Sequence, residues 1–250
     1  MTVILLGSNP FFQAYAKSDA FGKIIFLALA ILSIASWIVL VYKIRALHYI
    51  RKLSLNFQTL FEKNQSSPLA ITNPSATKSK IPEFANAFFN IYDVLKKRTL
   101  EILNKNKLSV PETKEKNTHT YLSASDIDIL ESHLMSSISS QTNGLEKNLF
   151  ILSTTVSLAP FLGLLGTVWG ILMTFSELQS RGFSQTNEMV LGGLSVALAT
   201  TVLGLLIAIP ALIAYNYLKS SIRDFEKSME HFSTVMLAAI ELQYRKVDVK

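Results

Sequence analysis

LFILSTTVSLAPFLGLLGTVWGILMTF, residues 149–175, holds no Asp, Glu, Lys, Arg or His. As a helix rising about 1.5 Å per residue it reaches roughly 40 Å, more than the ~30 Å hydrocarbon layer of a bilayer. So long a run without a charge reads as a membrane-crossing helix that projects past the layer or tilts within it. Two more stretches share the property. Ile24–Tyr42 (IIFLALAILSIASWIVLVY) is close to the ~20-residue minimum for a span, and Met189–Leu218 exceeds it. The whole 250-residue chain agrees, with 49% apolar and only 17% charged residues and a mean hydropathy of +0.32. The predicted fold is an all-α membrane protein of three transmembrane helices with long helical cytoplasmic extensions.

The charged flanks set the orientation. Lys43, Arg45, Arg51 and Lys52 follow the first span, Lys147 precedes the second, and Lys219, Arg223 and Lys227 follow the third, against Lys17, Lys23 and Arg181 on the opposite side. Basic residues stay on the cytoplasmic side, so the N-terminus faces out and the C-terminus in. The expected division is an outer, interfacial segment 1–23, span 24–42, a cytoplasmic helical loop region 43–148, span 149–175, an outer turn 176–188, span 189–218 and a cytoplasmic helix 219–250. Segment 1–23 lacks the basic region and small-residue cleavage site of a signal peptide, and its Pro10 and aromatic residues suit a short interfacial helix. The net charge of +6 is thus mostly a topology signal. No RNA-type aromatic motif or separate basic domain accompanies it, so no nucleic-acid partner is expected.

Within the cytoplasmic region, Asn64–Pro82 and Asn104–Thr120 are rich in Pro, Ser, Thr, Asn and Lys and read as loops. Between them Pro82 opens a helical pattern with Phe84, Phe88, Ile91, Val94 and Leu95 on one side. Ser123–Leu149 starts on a Ser-x-x-Asp capping signal and carries Ile127, Leu130, Leu134 and Ile138 at helical spacing. Beyond the third span, Ile222, Phe225, Met229, Phe232, Met236 and Ala239 step by three and four, a seam that should extend that span as a cytoplasmic helix.

Chemistry is narrowly bounded. With Cys 0 there is no disulfide, thiolate nucleophile or iron–sulfur cluster. His48, His119, His133 and His231 stand singly without ligand spacing, so neither a metal site nor a cofactor is expected. Asp126 and His133 could share a helix face as a carboxylate and an imidazole, but a solvated face is the plainer reading. Gly163-Leu-Leu-Gly166-Thr-Val-Trp-Gly170 lacks the Lys-Ser/Thr of a phosphate loop and lies inside an apolar span, which makes it a packing surface. No enzyme activity is indicated.

Small and hydroxyl residues form two stripes. Gly163, Thr167, Gly170 and Thr174 recur by four, three and four, and Gly166 and Gly170 make a G-x-x-x-G pair; Ala197, Thr201, Gly204, Ala208 and Ala211 form the counterpart in span three. One reading is helix packing alone, each threonine hydroxyl bonded to its own preceding turn. The other is that the stripes face a cavity whose polar groups are Thr167 and Thr201. Pro160 and Pro210 are expected kink positions, with freed carbonyls that need other partners.

Ala159-Pro-Phe-Leu-Gly-Leu-Leu-Gly-Thr-Val-Trp-Gly170 with Ile171 and Phe175, joined to Ala208-Ile-Pro-Ala211 and Tyr215-Asn216, resembles the TolQ and ExbB family of inner-membrane motor subunits, distant relatives of flagellar MotA. The likeness extends over all three spans and the order of loops, and Ser33-Ile-Ala-Ser-Trp37 leans toward TolQ. A MotA-type stator would carry four spans. The resemblance implies a multi-pass protein of the bacterial inner membrane forming a homo-oligomeric ring, typically of five copies. That ring would surround a TolR- or ExbD-like single-span partner with a membrane Asp, would work with a TonB- or TolA-like protein, and would use proton flow to transduce energy toward the periplasm or outer membrane. By position, the family's pore threonines fall on Thr167 and Thr201, and Thr200 is an extra hydroxyl where Ala is common. The family's Glu falls on Val196, which puts proton routing through that carboxylate in question. Independently of any family, a proton path usually needs a titratable group, and these spans contain none. The acid must come from a partner helix. The rivals are a self-contained transporter, for which no intramembrane charge or inverted repeat speaks, and a structural scaffold without ion flux.

Overall fold

The computed structural model describes residues 10–64, 67–71, 86–108, 121–181 and 186–245. Six helices account for most of them: α1 (Pro10–Lys17), α2 (Ala20–Lys63), α3 (Ala87–Leu108), α4 (Ala124–Glu146), α5 (Leu149–Arg181) and α6 (Thr186–Tyr244). Among the described residues the only β pairing is the isolated bridge of Leu122 with Arg245. Three helices are long and apolar enough to cross a membrane, Ala20–Lys63, Leu149–Gln179 and Val190–Tyr244. The α6 helix, 59 residues without a break, would measure about 88 Å, so much of it must lie outside a ~30 Å hydrocarbon layer.

The helices run further than the apolar stretches alone suggest. Asn104–Leu108, expected in a loop, completes α3, and α5 and α6 extend through Arg181 and from Thr186 into the segment expected as an outer turn. The reason is that loop composition weakens a helix without ending it, and the stronger stop residues come later in the sequence, Pro111 beyond α3 and Gly182 just beyond α5. Pro82, Phe84 and His119 lie outside the described residues.

The chain divides into two compact units. The first comprises Met1–Lys43 and Asn148–Leu218. Pro10 occupies the first turn of α1, where a missing N–H costs nothing. Ala14 of α1 is buried with Phe26 and Val196, and Ile25 and Leu29 pack with Ala159, Ile207 and Ala208. The large side chains point the other way: Ile31, Ile34, Phe161, Val168, Leu172, Leu198 and Ile213 are all exposed. Small residues inside and large apolar ones outside suit helices solvated by lipid, which holds no hydrophobic force to drive large residues inward.

The second unit, Ile44–Lys147 and Lys219–Lys250, has an aromatic core. Phe88 of α3 stacks on Phe232 (4.6 Å, 11°) and on Phe225 (5.8 Å, 12°) of α6, and Phe61 meets Phe232 edge-on at 5.5 Å. The α6 seam is buried at Ile222, Phe225, Met229, Phe232 and Met236, but its next step is Ile240, a four-residue step, rather than Ala239, because only the longer side chain fills the interior. Tyr92 is buried and its hydroxyl donates to the Ile71 carbonyl (3.2 Å), which also accepts from Lys96; burial pushes the phenol up to about 12. At the start of α4, Asp126 N–H donates to Ser123 Oγ (3.2 Å) and Ser123 N–H to Asp126 Oδ2 (2.9 Å), a capping box. Ile127, Leu130, Leu134 and Ile138 form the buried face of α4.

Candidate functional site

The site is the seam of α5 and α6, where two backbones touch. A Cβ on Gly163 would lie 3.0 Å from Thr200 O and Thr201 Cα, one on Gly170 3.0 Å from Ala197 Cβ, and one on Gly204 2.6 Å from Ala159 O. The partners advance along α5 as they retreat along α6, so the helices are antiparallel. Gly163, Gly166, Gly170, Ala197, Gly204 and Ala208 are all buried along this line.

Thr200, not Thr201, is the hydroxyl at the centre of the seam. Its side chain is fully buried, and a Cβ on Gly166 would fall 2.6 Å from Thr200 Cβ and 2.9 Å from Cγ2, closer still to Oγ1. The space that Gly166 leaves open is the space that Thr200 fills. Its Oγ1 lies 2.8 Å from Ala197 O and 3.4 Å from Gly163 O. Thr201 is half-buried at the edge of the seam and donates across it to Gly163 O at 3.1 Å. Thr167 is half-buried and donates to Leu164 O of its own preceding turn at 2.6 Å, as Thr174 does to Gly170 O at 2.7 Å. The expected stripe therefore splits by role: Thr201 ties the two helices together, while Thr167 satisfies itself locally. Both helices continue through Pro160 and Pro210.

Val196 is buried beside Ala14 and Phe26 and also lines a cavity of about 330 Å³ together with Thr174, Gly166 and Thr200. At the rim of that cavity stands a residue that periodicity could not single out. Asp19 precedes α2 and caps it, Oδ1 accepting from Gly22 N–H at 3.0 Å. Its Oδ2 accepts from the indole N–H of Trp169 at 2.9 Å, across 150 positions of sequence, and Phe21 packs on the same indole at 4.4 Å. Burial works to raise the Asp19 pKa, but the hydrogen bonds from Trp169 and from the Gly22 and Phe21 backbone outweigh it and hold the carboxyl below its ordinary range. The readable signals were Asp19 three residues before Gly22 at the head of an apolar run, and a Trp in a span whose N–H needs a partner.

The pattern of the MotA/TolQ/ExbB proton channel family matches residues 104–231, more than half of the chain. This chain belongs to that family. Over 80 residues it is 48% identical to the biopolymer transport protein ExbB of Aquifex aeolicus strain VF5, covering 32% of this chain and 53% of that protein. Over 100 residues it is 37% identical to the Tol-Pal system protein TolQ of Haemophilus influenzae, covering 38% and 43%. A longer match, 27% over 234 residues, covers 90% of this chain and 62% of the ExbB of Pseudomonas putida. The chain thus spans between about four and six tenths of these relatives' lengths, and their names do not separate the two branches. Membership makes it a multi-pass membrane protein of a transport family rather than an enzyme.

The remaining sequence candidates find ordinary employment. Asp126 is engaged in the α4 capping box and accepts from Asn106 Nδ2 at 3.1 Å. Burial works to raise its pKa, and the Ser123 and Asn106 hydrogen bonds with nearby Lys105 lower it below the usual carboxylate value. Among the described residues no cluster of three or more His, Cys, Asp or Glu is placed to hold a metal.

Proposed function

We propose that this chain is the ring-forming subunit of a proton-driven inner-membrane motor of the TolQ/ExbB kind. Five copies would surround the single span of a TolR- or ExbD-like partner, work with a TonB- or TolA-like protein, and pass energy toward the periplasm or outer membrane. The N-terminus lies outside and the C-terminus in the cytoplasm, as the basic flanks suggest. Thr167 and Thr201 line the proton path against the partner. The observation that carries this reading is the hydroxyl-bearing seam at Gly163, Thr200 and Thr201 inside spans that hold no Asp, Glu, Lys, Arg or His. Such a surface can hold water and orient it, but a proton can be bound and released only by an acid supplied from elsewhere. The partner's membrane Asp is that acid.

The test is proton uptake into liposomes that carry a pH-sensitive dye, with this chain reconstituted alone and with the single-span partner. Uptake should require both proteins and vanish when the partner's Asp is changed to Asn. An assembled complex that passes no protons under an imposed gradient would refute the motor reading. It would favour the scaffold, to which one observation already leans: Val196 sits in an apolar cluster with Ala14 and Phe26 where the family has its Glu.

A further inference from the structure

The 330 Å³ cavity has a polar rim, which packing alone does not call for. Its volume accommodates on the order of ten waters. At the rim stand Lys17, Asp19 and Glu177; on the floor are Gly166 and Val196, with Thr200 beneath. Along α5, Glu177 and Gly166 are eleven residues apart, about 16 Å of helix. Gly166 is nine residues inside the apolar run that ends at Phe175, about 14 Å and close to the middle of a ~30 Å layer. The cavity therefore descends from one face of the membrane to mid-depth within a single subunit. The hydrogen-bond partners of Asp19, Gly22 N–H and the Trp169 indole N–H, are both neutral, so its negative charge stands at the rim, and apolar walls with little competing solvent concentrate it. Asp19 is fixed there by Trp169 and by the helix end it caps, so it acts as a permanent anion rather than a proton carrier.

We propose that each subunit contains a water-filled, cation-attracting vestibule that leads from the α1 side of the membrane, past Asp19, to Val196 beside the α5/α6 seam. Its ligand is hydronium, or another small monovalent cation in water. It deepens the motor reading, on which only its role in proton delivery rests; the vestibule itself stands on the cavity and its charges. Water on that route reaches Val196, one helical turn before Thr200, which is buried beneath the floor and donates its proton to Ala197 O.

The chain has no cysteine, so single cysteines report water and charge without background. Gly192 lines the cavity and a Cβ there meets nothing within 4 Å; Val196→Cys is close in size. In membrane vesicles holding the full chain, Gly192→Cys and Val196→Cys should react with charged, membrane-impermeant methanethiosulfonates added from the α1 side. Leu194→Cys and Leu198→Cys, exposed apolar positions that bracket Val196 but do not line the cavity, should stay inert. After correction for reactivity with free thiol, the cationic reagent should be faster by on the order of tenfold. Asp19→Asn, which keeps an N-cap acceptor, should remove most of that preference. If Val196→Cys is as inert as Leu198→Cys while Gly192→Cys reacts only at the surface rate, there is no vestibule. Equal rates for the two reagents, or a preference untouched by Asp19→Asn, overturn the cation attraction. Labelling from the opposite face alone keeps the vestibule and overturns the assigned orientation, and labelling as expected without proton flux keeps it and overturns the motor.

Discussion

Replacing Gly166 by Ala tests whether Thr200 is the side chain that the seam is built around. The added Cβ would sit 2.6 Å from Thr200 Cβ and 2.9 Å from Cγ2, so the helices must part by roughly 1 Å to restore an ordinary contact. Overpacking of this kind costs about 1–3 kcal/mol. Parting also stretches the 3.1 Å bond from Thr201 to Gly163 O, worth about 0.6 kcal/mol in a membrane. A loss of about 2 kcal/mol is expected for Gly166→Ala alone. Thr200→Gly removes all the clashing atoms, at about 1 kcal/mol for a glycine in a helix. In that background Gly166→Ala should be neutral or stabilising by up to about 1 kcal/mol, because Ala is the better helix former and nothing opposes it. The sign of the substitution should therefore reverse. Gly204→Ala is the control: its Cβ would meet the backbone oxygen of Ala159 at 2.6 Å, which no side-chain deletion relieves, so it should destabilise in both backgrounds. Unfolding in mixed micelles of rising SDS fraction, followed by tryptophan fluorescence, reads all of these; Trp169 is one turn from Gly166. Equal destabilisation by Gly166→Ala with Thr200 present and absent would refute the contact.

The Thr167→Val, Thr201→Val double variant should assemble and bind its partner, since its two lost hydrogen bonds total only about 1–2 kcal/mol, while dye-detected proton uptake should fall sharply; full uptake would return both residues to packing. Val196→Glu should insert at close to normal level in a membrane-fraction immunoblot, because position 196 borders the polar cavity, whereas a lipid-facing carboxylate would impair insertion. Ser123→Ala should cost about 1 kcal/mol by loss of the α4 cap, measured by denaturant unfolding. The folded pKa of Asp126 is lowered from 3.8, so its share of stability is present above the unfolded value and is lost as pH falls below about 4 through the folded one. A thermal melt series over pH 6 to 3 should show both proteins losing stability toward the acid end while most of the gap between them persists, because the Asp126 N–H bond to Ser123 Oγ does not titrate. Reporters fused after Gln179 should be active only outside the cytoplasm and those fused after Thr77 or Lys250 only inside; the opposite pattern would invert the topology.

What the amino-acid sequence determined by itself is whatever a single segment can express. Three charge-free stretches demand lipid around them, the Ser123-x-x-Asp126 signal closes within one helical turn, and the apolar step from Ile222 to Met236 names the buried face of α6 as far as that period holds. These depend on hydropathy and on 3.6-residue geometry, which are local. Hydropathy could not say where α3, α5 and α6 end, because polar residues continue a helix as readily as they leave one. The small-residue stripes announced close packing, but which hydroxyl occupies the seam depended on what lies opposite: Gly166 makes room for Thr200, 34 positions away, and leaves Thr201 to bridge to Gly163 O. The tie from Asp19 to Trp169 and the burial of Val196 against Ala14 and Phe26 are longer-range still. Only the tertiary path of the chain decides such pairings, because a side chain's partner across a helix interface is set by register and separation, and no property of either segment alone contains them.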